Sequence, residues 1–107
     1  MMNATFHHFG VPTKEPRGQE TFLEAAGVHI TDPEAHPFRI EFLRFEADSC
    51  MPKPIQTTPH AAFMVDRLED ALAGKEVVLP PFDATDTLRV AFIKDGGALI
   101  EVMEEKR

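Results

Sequence analysis

One cysteine, no long apolar run and a shortage of positive charge set the first limits on this chain. Cys50 is the single cysteine among 107 residues, so no internal disulfide can form and a reducing compartment is the simpler expectation. No stretch approaches the ~18 apolar residues that a membrane-spanning helix needs. The opening Met-Met-Asn-Ala-Thr-Phe-His-His has neither a basic start nor an apolar run, so no signal peptide is expected and the cytoplasm is the expected location. Lys and Arg number 11 against 18 Asp and Glu, a net charge of -7. That balance leaves no basic stripe to displace counterions from phosphates, and it argues against nucleic acid and anionic membranes as partners. Low-complexity sequence is absent as well.

What remains is an ordinary globular composition, 43% hydrophobic and 27% charged, at a length that fits one domain spanning 1–107. Strand patterns dominate, near residues 5–11, 28–32, 38–46, 60–65, 76–79, 88–94 and 98–104. Two short helices are expected. One runs from Gln19 to Ala26 and is stopped by Gly27; the other runs from Leu68 to Ala73, with Asp66 as its N-cap and Gly74 closing it. Asp95-Gly96-Gly97-Ala98 reads as a hairpin turn. Pro52, Pro54 and Pro59 make 47–58 a linker between two halves, about 4–46 and 59–104. The class is α+β: two short β-α-β-β(-β) modules forming a curved open sheet with a concave pocket, each helix on the convex side. The first half, shorter by eight residues between its His and Glu, is expected to lack a strand and turn.

The halves look like copies. Each opens on a strand with a histidine, Phe6-His7-His8-Phe9-Gly10-Val11 and Pro59-His60-Ala61-Ala62-Phe63. Each closes on a strand with a carboxylate, Ile40-Glu41-Phe42-Leu43 and Ile100-Glu101-Val102-Met103. Two imidazoles and two carboxylates are a ligand set for a tetrahedral or octahedral divalent ion. Side chains alternate across a strand, and that alternation puts His8, Glu41, His60 and Glu101 on one face. The same face would carry Phe6, Arg39, Leu43, Ala62, Met64, Leu99 and Met103, an apolar lining with few polar groups, as small-molecule sites have. Of these, Arg39, Leu43, Met64 and Met103 are the candidate substrate-binding residues, Arg39 for an anionic group. Taken singly, a strand Glu is more often solvated than a ligand, and a lone His is more often structural. The repetition carries the weight. His7, next to His8, is expected to point to the opposite face.

These pieces, together with Pro59 to Leu72 and Arg89 to Met103, resemble the vicinal oxygen chelate superfamily: glyoxalase I, methylmalonyl-CoA epimerase, extradiol dioxygenases and bleomycin-resistance proteins. The resemblance covers nearly the whole chain apart from 12–37. It implies paired modules around one divalent ion, with His8 and Glu41 as ligands from the first and His60 and Glu101 from the second. The order His, Glu, His, Glu is similar to that of bacterial glyoxalase I. The implied activity is a metal-dependent lyase or isomerase acting on a small carbonyl compound through a metal-stabilised enediolate. Glu101 or Glu41 would leave the metal to act as general base, with the resemblance favouring Glu101. Zinc, nickel, iron, cobalt and manganese all suit the ligands. A metal-free binding protein of bleomycin-resistance type is the alternative, and a metal-dependent dioxygenase a weaker third. A homodimer is expected, since so small a chain gains buried area from a two-fold partner.

Overall fold

The computed structural model describes residues 2–106. In chain order its elements are β1 (Ala4–Pro12), β2 (Thr21–Leu23), β3 (Val28–Ile30), β4 (Ile40–Phe45), α1 (Lys53–Thr57), β5 (His60–Val65), α2 (Leu68–Leu72), β6 (Glu76–Asp83), β7 (Leu88–Asp95) and β8 (Ala98–Glu105). The strands form one mixed sheet, ordered β2-β3-β4-β1-β5-β8-β7-β6, that curls into a half-barrel. Every expected strand is present, and β2 is additional.

The sheet repeats itself. β1 pairs with β4 in parallel and β5 pairs with β8 in parallel, each pair joined by antiparallel strands that fan outward. Gly10 lies opposite Glu41, and Ala62 lies opposite Glu101. Each of those small residues follows its histidine by two positions, so the register is the same in both halves. At the centre β1 meets β5 antiparallel, with His8 opposite Ala62 and Gly10 opposite His60. That pairing maps onto itself when the halves are exchanged, which puts a local two-fold at Phe9 and Ala61.

The first half departs from expectation. No helix occupies Gln19 to Ala26; Thr21–Leu23 is a strand paired with β3, and residues 24–27 turn between the two. An eight-residue helix is marginal by itself, and here packing decides: Leu23, Ala26 and Val28 all join the inner core. Gly27 does take a left-handed φ of 61°, but to close a hairpin and not a helix. The first half is therefore short because its helix is missing and β2 and β3 have three residues each, not because a strand is lost.

Residues 47–58 also do more than link. Pro52 and Pro54, which exclude a ladder, sit at the start of α1, where a missing N–H costs nothing. α1 buries Ile55 to 1% exposure, and Met51 just before it joins the same cluster as Leu43, Phe92 and Leu99. α2 forms where expected and packs Leu68 and Ala71 against Val65, Ala91 and Val102 on the outer face. Its first turn is capped from outside, with Leu68 N donating to Glu104 Oε1 at 2.7 Å, while Asp66 makes no cap. β7 and β8 close through Gly96 and Gly97, both at positive φ, as the Asp-Gly turn predicts. β6 runs on through Pro80 and Pro81 because it is an edge strand and is bulged there.

Candidate metal centre

The inner face gathers three of the four expected ligands tightly. Ligand atoms of His8, His60 and Glu101 all lie within 4.8 Å of one another. His60 Nε2 is 3.1 Å from Glu101 Oε1, and His8 Nε2 is 3.4 Å from the same oxygen. Glu41 approaches from the other side, its Oε1 3.4 Å from His8 Nε2. Both imidazoles are sealed from solvent, at 2% and 1% exposure.

Local sequence explains the approach. A Cβ on Gly10 would stand 2.2 Å from Cε1 of His60, so the ring fits only because β1 has no side chain there. Phe92, paired with Glu101 across β7 and β8, braces the same ring edge-on with centroids 5.1 Å apart. His8 is aimed by a bulge in β1: Phe6 pairs with Phe63 and His8 with Ala62, which leaves His7 as the extra residue. The bulge changes the alternation before it. Phe6, expected inside, packs edge-on against Phe63 of the outer face. His7, expected to point away, brings Nδ1 to 2.8 Å from Nδ1 of His8.

The charges are coupled. Burial pushes His8 down, but Glu101 and Glu41 together outweigh it and raise its pKa to about 9. Burial pushes Glu101 up, and the two imidazoles outweigh that, so its carboxyl stays ionised well below the usual range. His7 is held below its usual value by burial, then by His8 and Arg39. Buried charges of this kind cost several kcal/mol each in desolvation, and apolar residues of similar size commonly stabilise as well or better. Stability alone therefore does not account for the cluster. Nor are its polar atoms satisfied. His8 Nε2 is buried, flanked by two carboxylates, and makes no hydrogen bond among the described residues. A buried imidazole nitrogen facing two carboxylates belongs to the donor set that a divalent ion takes up by displacing the proton, and His8, His60 and Glu101 are close enough to hold one.

The cluster forms one wall of a cavity of about 120 Å³. Leu43 and Met103 line it as expected, together with Met51 just before α1, Ile55 of α1, Phe82 of β6 and Phe92 of β7. Met64 and Arg39 are not among the lining residues. Met64 packs beside Ala62, Val90 and Met103. Arg39 sits at a positive φ of 55° and donates from Nε to the His7 carbonyl at 2.6 Å, so the guanidinium expected to hold an anion instead clamps the bulge. Sequence reasoning did not find Gly10, His7 or the α1 residues; Gly10 had a signal, since it stands in the strand two residues beyond a candidate ligand. Neither a family model nor a curated protein matches this chain.

Proposed function

We propose that this chain is a metal-dependent lyase or isomerase of glyoxalase type, acting on a small uncharged carbonyl compound. His8, His60 and Glu101 hold a divalent ion, with Glu41 within reach of the same centre. The carrying observation is the buried Nε2 of His8, unbonded between two carboxylates. The resemblance to the vicinal oxygen chelate superfamily points the same way, and the repeated register of Gly10 with Glu41 and Ala62 with Glu101 supports it. A divalent ion bound there supplies Lewis-acid stabilisation of negative charge on a substrate oxygen.

The side chains divide the remaining work. Glu101 approaches both rings, whereas Glu41 approaches only His8. Glu41 is therefore the freer carboxylate, and it is assigned here as the general base that takes a proton from the carbon beside the carbonyl, in preference to Glu101. Among the described residues, those lining the cavity include no Lys or Arg, which favours an uncharged substrate. A volume of about 120 Å³ is close to the ~150 Å³ of an apolar cavity that takes benzene, and sets the size of the buried portion.

Metal analysis of protein purified without chelator tests the centre. Near-stoichiometric divalent metal that is lost in a His60→Ala, Glu101→Ala double variant supports it. Solvent deuterium exchange into a small 2-oxoaldehyde or hydroxyketone, lost in Glu41→Gln with metal retained, supports the base. The apolar lining also suits a metal-free small-molecule binder, and a wild type with no measurable divalent affinity would favour that reading. The proposal includes a homodimer; sedimentation at the mass of one 12.0 kDa chain at micromolar concentration would overturn that part.

A further inference from the structure

His7 touches the cluster yet has no part in the proposed chemistry. Its ring stands edge-on to His8, with centroids 5.1 Å apart and the two Nδ1 atoms 2.8 Å apart. Its backbone is held as firmly, because Arg39 reaches across from the start of β4 to its carbonyl. Two ring nitrogens at that separation share one proton, so one ring donates and the other accepts. Were a neutral His8 the acceptor, its own proton would sit on Nε2 and cap the nitrogen that faces Glu41 and Glu101.

We propose that His7 is the positioning residue of this centre: its Nδ1 accepts the Nδ1–H of His8, which leaves His8 Nε2 as the nitrogen that gives up its proton to a divalent ion on the cluster side. The consequence for metal rests on the function proposed above; the hydrogen bond itself does not. The bulge in β1 serves this purpose, since regular alternation would send the two rings to opposite faces. The second half has no counterpart. Pro59 stands where His7 would be, and Nδ1 of His60 is buried with no hydrogen-bond partner among the described residues. The centre is therefore oriented from one side, through His8. Partners of this kind fix the tautomer of a ligand imidazole, and their loss typically lowers metal affinity 10–100-fold.

Two measurements test it. In a cobalt(II) titration followed by visible absorption, His7→Leu should bind about 10–100-fold more weakly than wild type. His7→Asn, whose Oδ1 returns an acceptor near the position of Nδ1, should stay within about threefold. The metal-free melting temperatures of the two variants should agree, which separates positioning from folding. His7→Leu binding as wild type does, or His7→Asn falling as far as His7→Leu, overturns the inference. Long-range proton–nitrogen NMR of the wild-type histidines decides the hydrogen bond directly, whether or not a variant folds. An unprotonated His7 Nδ1 supports it and a protonated one overturns it. A wild type that takes up no cobalt would remove the metal reading, and the NMR result would still decide the bond.

Discussion

In the first repeat His8 stands two residues before Gly10, which pairs with Glu41; in the second, His60 stands two residues before Ala62, which pairs with Glu101. Around that shared register the halves diverge. The outer face of the second is covered by α2, whereas in the first the helix is replaced by a three-residue strand and a turn, and Phe9 and Phe38 stay exposed at 40% and 77%. Glu101 serves two imidazoles and Glu41 one. His8 has a hydrogen-bond partner at its far nitrogen; among the described residues His60 has none. The shared register brings the ligands together, then, and what surrounds it makes them unequal. The parts held in common are those that must meet at one point.

The sharpest way to break this comparison is at the two small residues that face the rings. Gly10→Ala puts a methyl group inside the His60 imidazole, a ring that Phe92 also braces edge-on. It should cost about 1–3 kcal/mol in denaturant unfolding and abolish metal uptake, because His60 can no longer reach Glu101. The counterpart Ala62→Gly removes a buried methyl and adds backbone freedom, a loss of about 1 kcal/mol, with metal uptake kept. Equal effects on metal at both positions would show that the close approach of Gly10 is not what admits the ring.

The carboxylates come next. Glu101→Gln removes the negative charge that faces both rings and should lower divalent affinity by more than about 100-fold in a competition titration. Glu41→Gln removes the negative charge that faces His8 alone and should lower it by about 10-fold, while stopping proton exchange. A reversal of that order would return the base to Glu101 and make Glu41 the firmer ligand.

These residues were legible because strand periodicity fixes which side chains share a face, and His8, Glu41, His60 and Glu101 all lie in regular strand beyond the bulge. What the pattern could not carry is what depends on long-range packing. The Gln19 to Ala26 segment has helix-forming composition, yet Leu23, Ala26 and Val28 gain more by closing over the cavity with α1. α1 itself hid behind its prolines, which mark a helix start as readily as a loop. The bulge at His7 shows in no residue type; it follows from how β1 lies on β5, and it moves Phe6 outward while bringing His7 beside His8. Parity alone puts Arg39 on the pocket face, and its left-handed backbone at the edge of β4 turns it to the His7 carbonyl instead.

A pH series sharpens the electrostatic side of the contrast. The His8 pKa is raised from 6.5 to about 9, so its ionic contribution to the metal-free fold is complete below pH 6.5 and is lost as pH rises through 9. The Glu101 pKa is lowered from 4.5, so its contribution is present above pH 4.5 and is lost on further acidification. Metal-free stability should therefore be greatest between about pH 4.5 and 6.5 and fall towards pH 9 by something on the order of 1 kcal/mol or more, at about that much per pKa unit. In His8→Asn the alkaline fall should flatten. A wild-type profile level from pH 6 to 9 would mean that the cluster carries no buried imidazolium.

The smallest effect concerns the element that only the second half possesses. α2 has five residues and no side-chain cap of its own, and its first amide is satisfied from β8 by Glu104. Glu104→Ala should therefore behave as the loss of an N-cap, costing about 1 kcal/mol in urea unfolding. Glu104→Gln keeps an acceptor oxygen and should cost a fraction of that. Metal affinity should not change in either, because Glu104 lies on the opposite face of β8 from Glu101, with its carboxylate at the start of α2. A fall in metal affinity on removing this cap would mean that the helix supports the centre through the sheet, and that the first half, which has no α-helix among the described residues, is held in shape by its partner half.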